Sequence, residues 1–139
     1  MELLQKEYLI YFHENPDPSR VSWWIKLFCR KKKFRHVGAL GYCATNDQWF
    51  GLQYTHEGIV HQFITKNEIV DIFAYFKVND YKILTVPVQY KWKLIWIKEH
   101  SCVSFIMRLI GFHSWWIFTP YQLYCALKKS GIKSFCGKS

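Results

Sequence analysis

The chain has no Cys-x-x-Cys pair, and its five cysteines, Cys29, Cys43, Cys102, Cys125 and Cys136, match no zinc-ribbon spacing. An odd, scattered set of this kind reads as reduced thiols rather than a disulfide framework. No apolar run approaches the roughly 20 residues of a membrane span. The longest candidates are broken by Lys91, Lys93, Lys98 and Glu99. The opening Met1-Glu2-Leu3-Leu4-Gln5-Lys6-Glu7 is charged from the start, so no secretory signal is expected and synthesis is placed in the cytoplasm. Internal repeats, low-complexity stretches and linkers are lacking too, which leaves one domain over residues 1–139. Acidic residues are few: 10 Asp and Glu stand against 19 Lys and Arg, for a formal net charge of +9. Such a balance favours an acidic partner: nucleic acid, anionic lipid or an anionic cell-wall polymer. It is also what a plain solvated basic surface would show.

What is present is hydrophobic and aromatic. Half of the residues are hydrophobic and 19% are aromatic, enough for a sizeable core and incompatible with disorder. Leu9-Ile10-Tyr11-Phe12 reads as a first strand, stopped by Asn15-Pro16-Asp17-Pro18. Ser19 or Ser22 can cap a helix across residues 21–28, whose aromatic face suits the core or, beside the basic cluster, a membrane-surface anchor, with the core favoured. Three strands follow as an antiparallel meander: residues 36–43, 49–54 and 59–64, with turns at Thr45-Asn46-Asp47 and Gly58. Thr65-Lys66-Asn67-Glu68 is a capping box opening a helix to about Tyr75. Residues 82–88 form a further strand, which Pro87 assigns to a sheet edge or a strand end. Residues 90–100 read equally as strand or helix.

The second half of the chain is helical. Ser101 is a good N-cap for a short apolar helix beginning at Cys102, with Gly111 as its stop. Trp115-Trp116-Ile117-Phe118 is an apolar link whose tryptophans are expected in the core. Thr119-Pro120-Tyr121-Gln122 is a second capping box, with Pro at the first helical position; that helix runs to Lys129 and stops at Gly131, and the residues after it should fray. The fold class is therefore α+β, a small antiparallel sheet packed with helices.

Cys102 is the residue with chemical promise. In the first turn of a helix, the dipole and the outward-facing N–H groups favour a thiolate. A nucleophilic thiol also needs a base within hydrogen-bond reach and a group to orient that base. Of six histidines, His36 opens the first meander strand, and Gln53 on the next strand falls at the level of Val37 and Gly38, where its amide can fix the imidazole. Gln48, Asp47 and His56 compete for the orienting role, and His100 competes as base. His56 and His61 have no carboxylates at ligand spacing, so neither a metal nor any other cofactor is expected. A buried cysteine at a helix start is more often structural than catalytic.

His36-Val37-Gly38-Ala39-Leu40, followed much later by Ser101-Cys102-Val103, resembles the permuted branch of the NlpC-type papain-like cysteine hydrolases, which includes the lecithin:retinol acyltransferase-like enzymes. The permuted order is the one in which the histidine strand precedes the cysteine helix. The stretch from Ser101 through Thr119-Pro120-Tyr121-Gln122-Leu123-Tyr124 also resembles small phage-encoded proteins of this type. The resemblance spans residues 34–127 and implies a thiol hydrolase or acyltransferase fold, with a peptidase or amidase as the first reading, Cys102 as nucleophile, His36 as base and Gln53 as orienting residue. It implies a peptide or amide substrate, with peptidoglycan stem peptides as the candidate, and a protein associated with a virion. Two other classes compete: a non-enzymatic component of a phage particle on the same fold, and a nucleic-acid binder using Arg30-Lys31-Lys32-Lys33-Phe34-Arg35. The last ranks lowest, because that cluster sits in one loop without a nucleic-acid motif.

Overall fold

The computed structural model describes residues 6–13, 36–55, 57–88, 101–112, 114 and 116–135. The helix expected over residues 21–28, the basic cluster, the ambiguous stretch 90–100 and His56, His100, His113 and Trp115 lie outside them.

Five strands form one antiparallel sheet: β1 (Glu7–His13), β2 (His36–Cys43), β3 (Gln48–Thr55), β4 (Gly58–Ile64) and β5 (Lys82–Pro87). Their order is β4-β3-β2-β1-β5, so the meander β2-β3-β4 continues through β1 to β5 at the far edge. Pro87 therefore closes an edge strand, where a missing N–H is tolerated. Among the described residues three helices join the sheet in an α+β architecture: α1 (Lys66–Val78), α2 (Cys102–Ile110) and α3 (Pro120–Lys129). None of the helices among the described residues is long and apolar enough to cross a membrane.

The period of two along each strand sorts side chains onto two faces, and both are buried. Tyr8, Ile10 and Phe12 of β1, Val37 and Ala39 of β2 and Leu84 and Val86 of β5 meet α2 and α3 through Val103, Phe105, Ile106, Leu123 and Leu127. The alternate residues Leu9 and Leu40, with Ile64 of β4, meet α1 through Ile69 and Phe76. Central strands covered on both faces read as continuous apolar runs, which is why Leu9-Ile10 and Ala39-Leu40 lack polar alternation. Ile106 and Leu123 are wholly buried, and burial of such a side chain is worth roughly 1.5–3 kcal/mol.

Local chemistry sets the helix ends. Each helix begins with a complete capping box: Thr65 with Glu68, Ser101 with Ser104, and Thr119 with Gln122. α1 runs three residues beyond Tyr75, because Tyr81 returns to stack on Phe76, ring centroids 4.4 Å apart, and holds the last turn against the sheet. Gly111 and Gly131 both take positive φ just past α2 and α3, where a side chain would be strained.

Two expectations are corrected. Residues 132–135 do not fray: Phe135 donates its N–H to the Ile83 carbonyl at 2.8 Å, and Thr85 donates to Lys133 at 3.2 Å, so this segment lines the outer edge of β5. Trp116 is 47% exposed rather than core: it lies in a turn, and Ile117 beside it takes the buried position.

Candidate active site

The site is built where β1, β2 and β3 run side by side. In the β2–β3 hairpin Gly38 stands opposite Gln53, the level expected from the turn at residues 44–47. His36 and Gln53 therefore share a face, and their side chains are hydrogen-bonded. On the other side of β2, β1 is paired so that His13 faces His36 and Tyr11 faces Gly38. The two imidazoles meet edge to face, ring centroids 5.0 Å apart. His13 in turn stacks on Tyr81 at 4.5 Å, and Tyr81 on Phe76, so an aromatic column backs the histidine pair.

The electrostatics of His36 follow from this setting. Burial is the largest influence and penalises the imidazolium; the charge of His13 works in the same direction, and the Gln53 hydrogen bond works against both. The net result is a pKa pushed down from 6.5 to about 4. At neutral pH His36 is an uncharged imidazole, and a pKa this far below neutrality makes it a weaker base than an ordinary histidine.

Cys102 opens α2. The Ser101 hydroxyl accepts from the Ser104 N–H at 3.2 Å, and the Ser104 hydroxyl accepts from the Ser101 N–H at 3.1 Å. This reciprocal cap fixes the turn that carries the thiol. Cys102 is 8% exposed and packs in the layer of Val37 and Ala39, whereas His36 and Gln53 belong to the opposite face of the sheet. The structure thus brings His36 to Gln53 and sets Cys102 in the adjoining layer. Tyr11 links the two: its hydroxyl lies over Gly38, where any Cβ would overlap it, and it interacts electrostatically with Cys102. Burial, then the charges of Tyr81 and Cys102, hold the Tyr11 phenol well above its ordinary pKa, so it remains a neutral hydrogen-bonding group.

Of the competing orienters, Gln48 pairs with Cys43 at the far end of the hairpin. Asp47 is engaged in the turn by the Tyr42 hydroxyl and the Lys66 ammonium. Neither is near His36. His61 lies on β4 with its ring against Phe63, centroids 4.7 Å apart. Among the described residues no group of three or more His, Cys, Asp or Glu is placed to hold a metal ion, and Cys43, Cys102 and Cys125 are not disulfide-bonded.

Sequence reasoning missed His13 and Tyr11 as neighbours of the site. Their period-two spacing in β1 shows that they share a face. No local signal reveals that β1 pairs with β2, because that pairing joins segments far apart in the chain. No family model matches the chain, and neither a curated protein nor a solved structure is found to be similar to it.

Proposed function

We propose that the chain is a thiol hydrolase of the permuted NlpC type, a peptidase or amidase that works through an acyl-enzyme. The observation that carries this reading is the hydrogen bond between Gln53 and a His36 that burial keeps neutral at physiological pH, on a strand that precedes a capped helix beginning with Cys102. In the reaction, the Cys102 sulfur adds to the substrate carbonyl while His36 takes the thiol proton. His36 then gives that proton to the departing amine as the C–N bond breaks and the thioester forms. A water deprotonated by His36 attacks the thioester, the C–S bond breaks, the acid leaves and the thiol is restored. Gln53 holds the imidazole ring in place; as a neutral amide it offers less to the transient imidazolium than a carboxylate would. Cys102 and His36 start from opposite faces of the sheet, so this reading requires the two side chains to approach each other at the start of β2, where His36 is the first strand residue. The substrate class is a peptide or amide, with cell-wall stem peptides first among candidates; an excess of basic residues suits an anionic wall polymer. A phage particle is the setting that the resemblance suggests for such an enzyme.

The test is labelling with a thiol-reactive acyl probe. Wild-type protein is expected to label at Cys102, with labelling lost in Cys102→Ala and strongly slowed in His36→Ala. Undiminished labelling of Cys102→Ala overturns the assignment.

A second reading, a non-enzymatic module of a particle, has one observation in its favour. β4 is an edge strand bearing Ile59 at 52% and Phe63 at 62% exposure, the kind of apolar edge that pairs with another protein. Under it, Cys102 reacts no faster than an ordinary thiol, and the protein co-purifies with other particle proteins.

A further inference from the structure

A cavity of about 180 Å³ lies between the sheet and α1. Its apolar walls are Leu40 of β2, Ile64 of β4 and Ile72 and Phe76 of α1. Its floor is Gly51, in the middle of β3 and opposite Gln62 of β4. The three glycines of β2 and β3 differ in a telling way. A Cβ on Gly38 would overlap Tyr11, and one on Gly41 would overlap Phe50, so neighbouring rings already occupy those places. A Cβ on Gly51 would meet only Ile64 Cδ1 at 3.5 Å and Leu40 Cδ2 at 3.7 Å, ordinary van der Waals separations. No steric demand of the fold explains this glycine. It leaves a place for a side chain that neither the strand nor the neighbouring residues supply.

The space opens to solvent beside Val60 and Gln62, and its Leu40, Ile64, Ile72 and Phe76 walls offer apolar contact to a compact guest. This cavity is not uniformly apolar. Gln53 and Tyr11 stand at one side of it, and the exposed Gln62 at its rim. Apolar walls with a few convergent polar groups are the usual composition of a small-molecule site. We infer that the cavity is a binding site for a compact apolar group, an aromatic ring or a branched aliphatic chain, that carries a carbonyl held by the Gln53 amide. The site stands independently of the thiol chemistry at Cys102. Gln53 also hydrogen-bonds His36, so the carbonyl end of the guest is set beside the imidazole.

The experiment uses the full chain with labelled methyl groups, titrated with benzamide and, separately, benzene. Saturable shifts are expected at the methyls of Leu40, Ile64 and Ile72 with both probes. Gly51→Val places two methyls in the space and is expected to weaken both probes about tenfold, while Ile69→Val, elsewhere on α1, leaves them unchanged. Gln53→Leu is expected to weaken benzamide and spare benzene. Gly51→Ala adds one methyl at ordinary contact distances and supplies a milder weakening should the valine variant fail to fold. The inference is overturned by shifts that do not saturate, by affinities indifferent to substitution at Gly51, by equal weakening in Ile69→Val, or by equal loss of both probes in Gln53→Leu.

Discussion

His13 and His36 are register partners across β1 and β2, and their rings meet edge to face with centroids 5.0 Å apart. A charge on one is therefore felt by the other, and His13 contributes to the depression of the His36 pKa after burial. Replacing His13 by Phe keeps a ring to stack on Tyr81 and removes the charge. The His36 titration, followed by the NMR signal of its ring carbon protons, is expected to move upward in His13→Phe while staying below 6.5, because burial remains. An unmoved or lowered midpoint contradicts the coupling.

The same pKa carries a stability prediction. Between about pH 4 and 6.5 the unfolded chain binds more proton at His36 than the folded protein does. Stability therefore rises with pH across that window, and this site contributes no slope above it. The full contribution is roughly 3 kcal/mol at neutral pH relative to acid. Urea midpoints at pH 4.5 and 7 are expected to differ clearly in wild-type protein and much less in His36→Leu.

Gly38 and Tyr11 form a matched pair, since the Tyr11 ring lies where a Gly38 side chain would stand, with its Cε2 at 2.8 Å from that position. Tyr11 is held there by Phe76, ring centroids 4.9 Å apart, and cannot yield freely. Gly38→Ala is expected to cost about 1–3 kcal/mol as an overpacking substitution. In a Tyr11→Leu background the same change should cost much less. A double-mutant cycle of denaturation midpoints measures the difference, and additive effects would show that the ring does not set the requirement for glycine.

The cap at Ser101 is open to a simple test. Ser101→Ala removes the acceptor for the Ser104 N–H and is expected to cost about 1 kcal/mol. Ser101→Asp restores an acceptor and places negative charge at the helix N-terminus, so it should recover most of that loss. Thermal melts of the three proteins decide it.

Much of this molecule is legible from its sequence where the governing forces are local. The boxes Thr65–Glu68 and Thr119–Gln122 announce α1 and α3 because each cap needs only residues three apart. The β2–β3 register, Gly38 opposite Gln53, follows from the length of one tight turn. The reading fails where distant segments meet. Nothing in Glu7–His13 says that it inserts between β2 and β5, and so His13 goes unnoticed beside His36. Alternation does say that His36 and Val37 face opposite ways, but only the helix docking shows that Cys102 joins the layer of Val37. Trp116 misleads for a similar reason: a large aromatic signals burial on average, and one neighbouring position, Ile117, captured it.

The placement of β1 between β2 and β5 has a consequence for how the chain is made. Glu7–His13 is translated early, yet one of its edges finds its partner only after Lys82–Pro87 has left the ribosome. Until then a nascent chain carries an apolar strand, Leu9-Ile10-Tyr11-Phe12, with half of its backbone groups unmatched. Ribosome-bound intermediates of this protein should thus be the species most in need of a chaperone, and slowing synthesis between β4 and β5 should lower the yield of native protein.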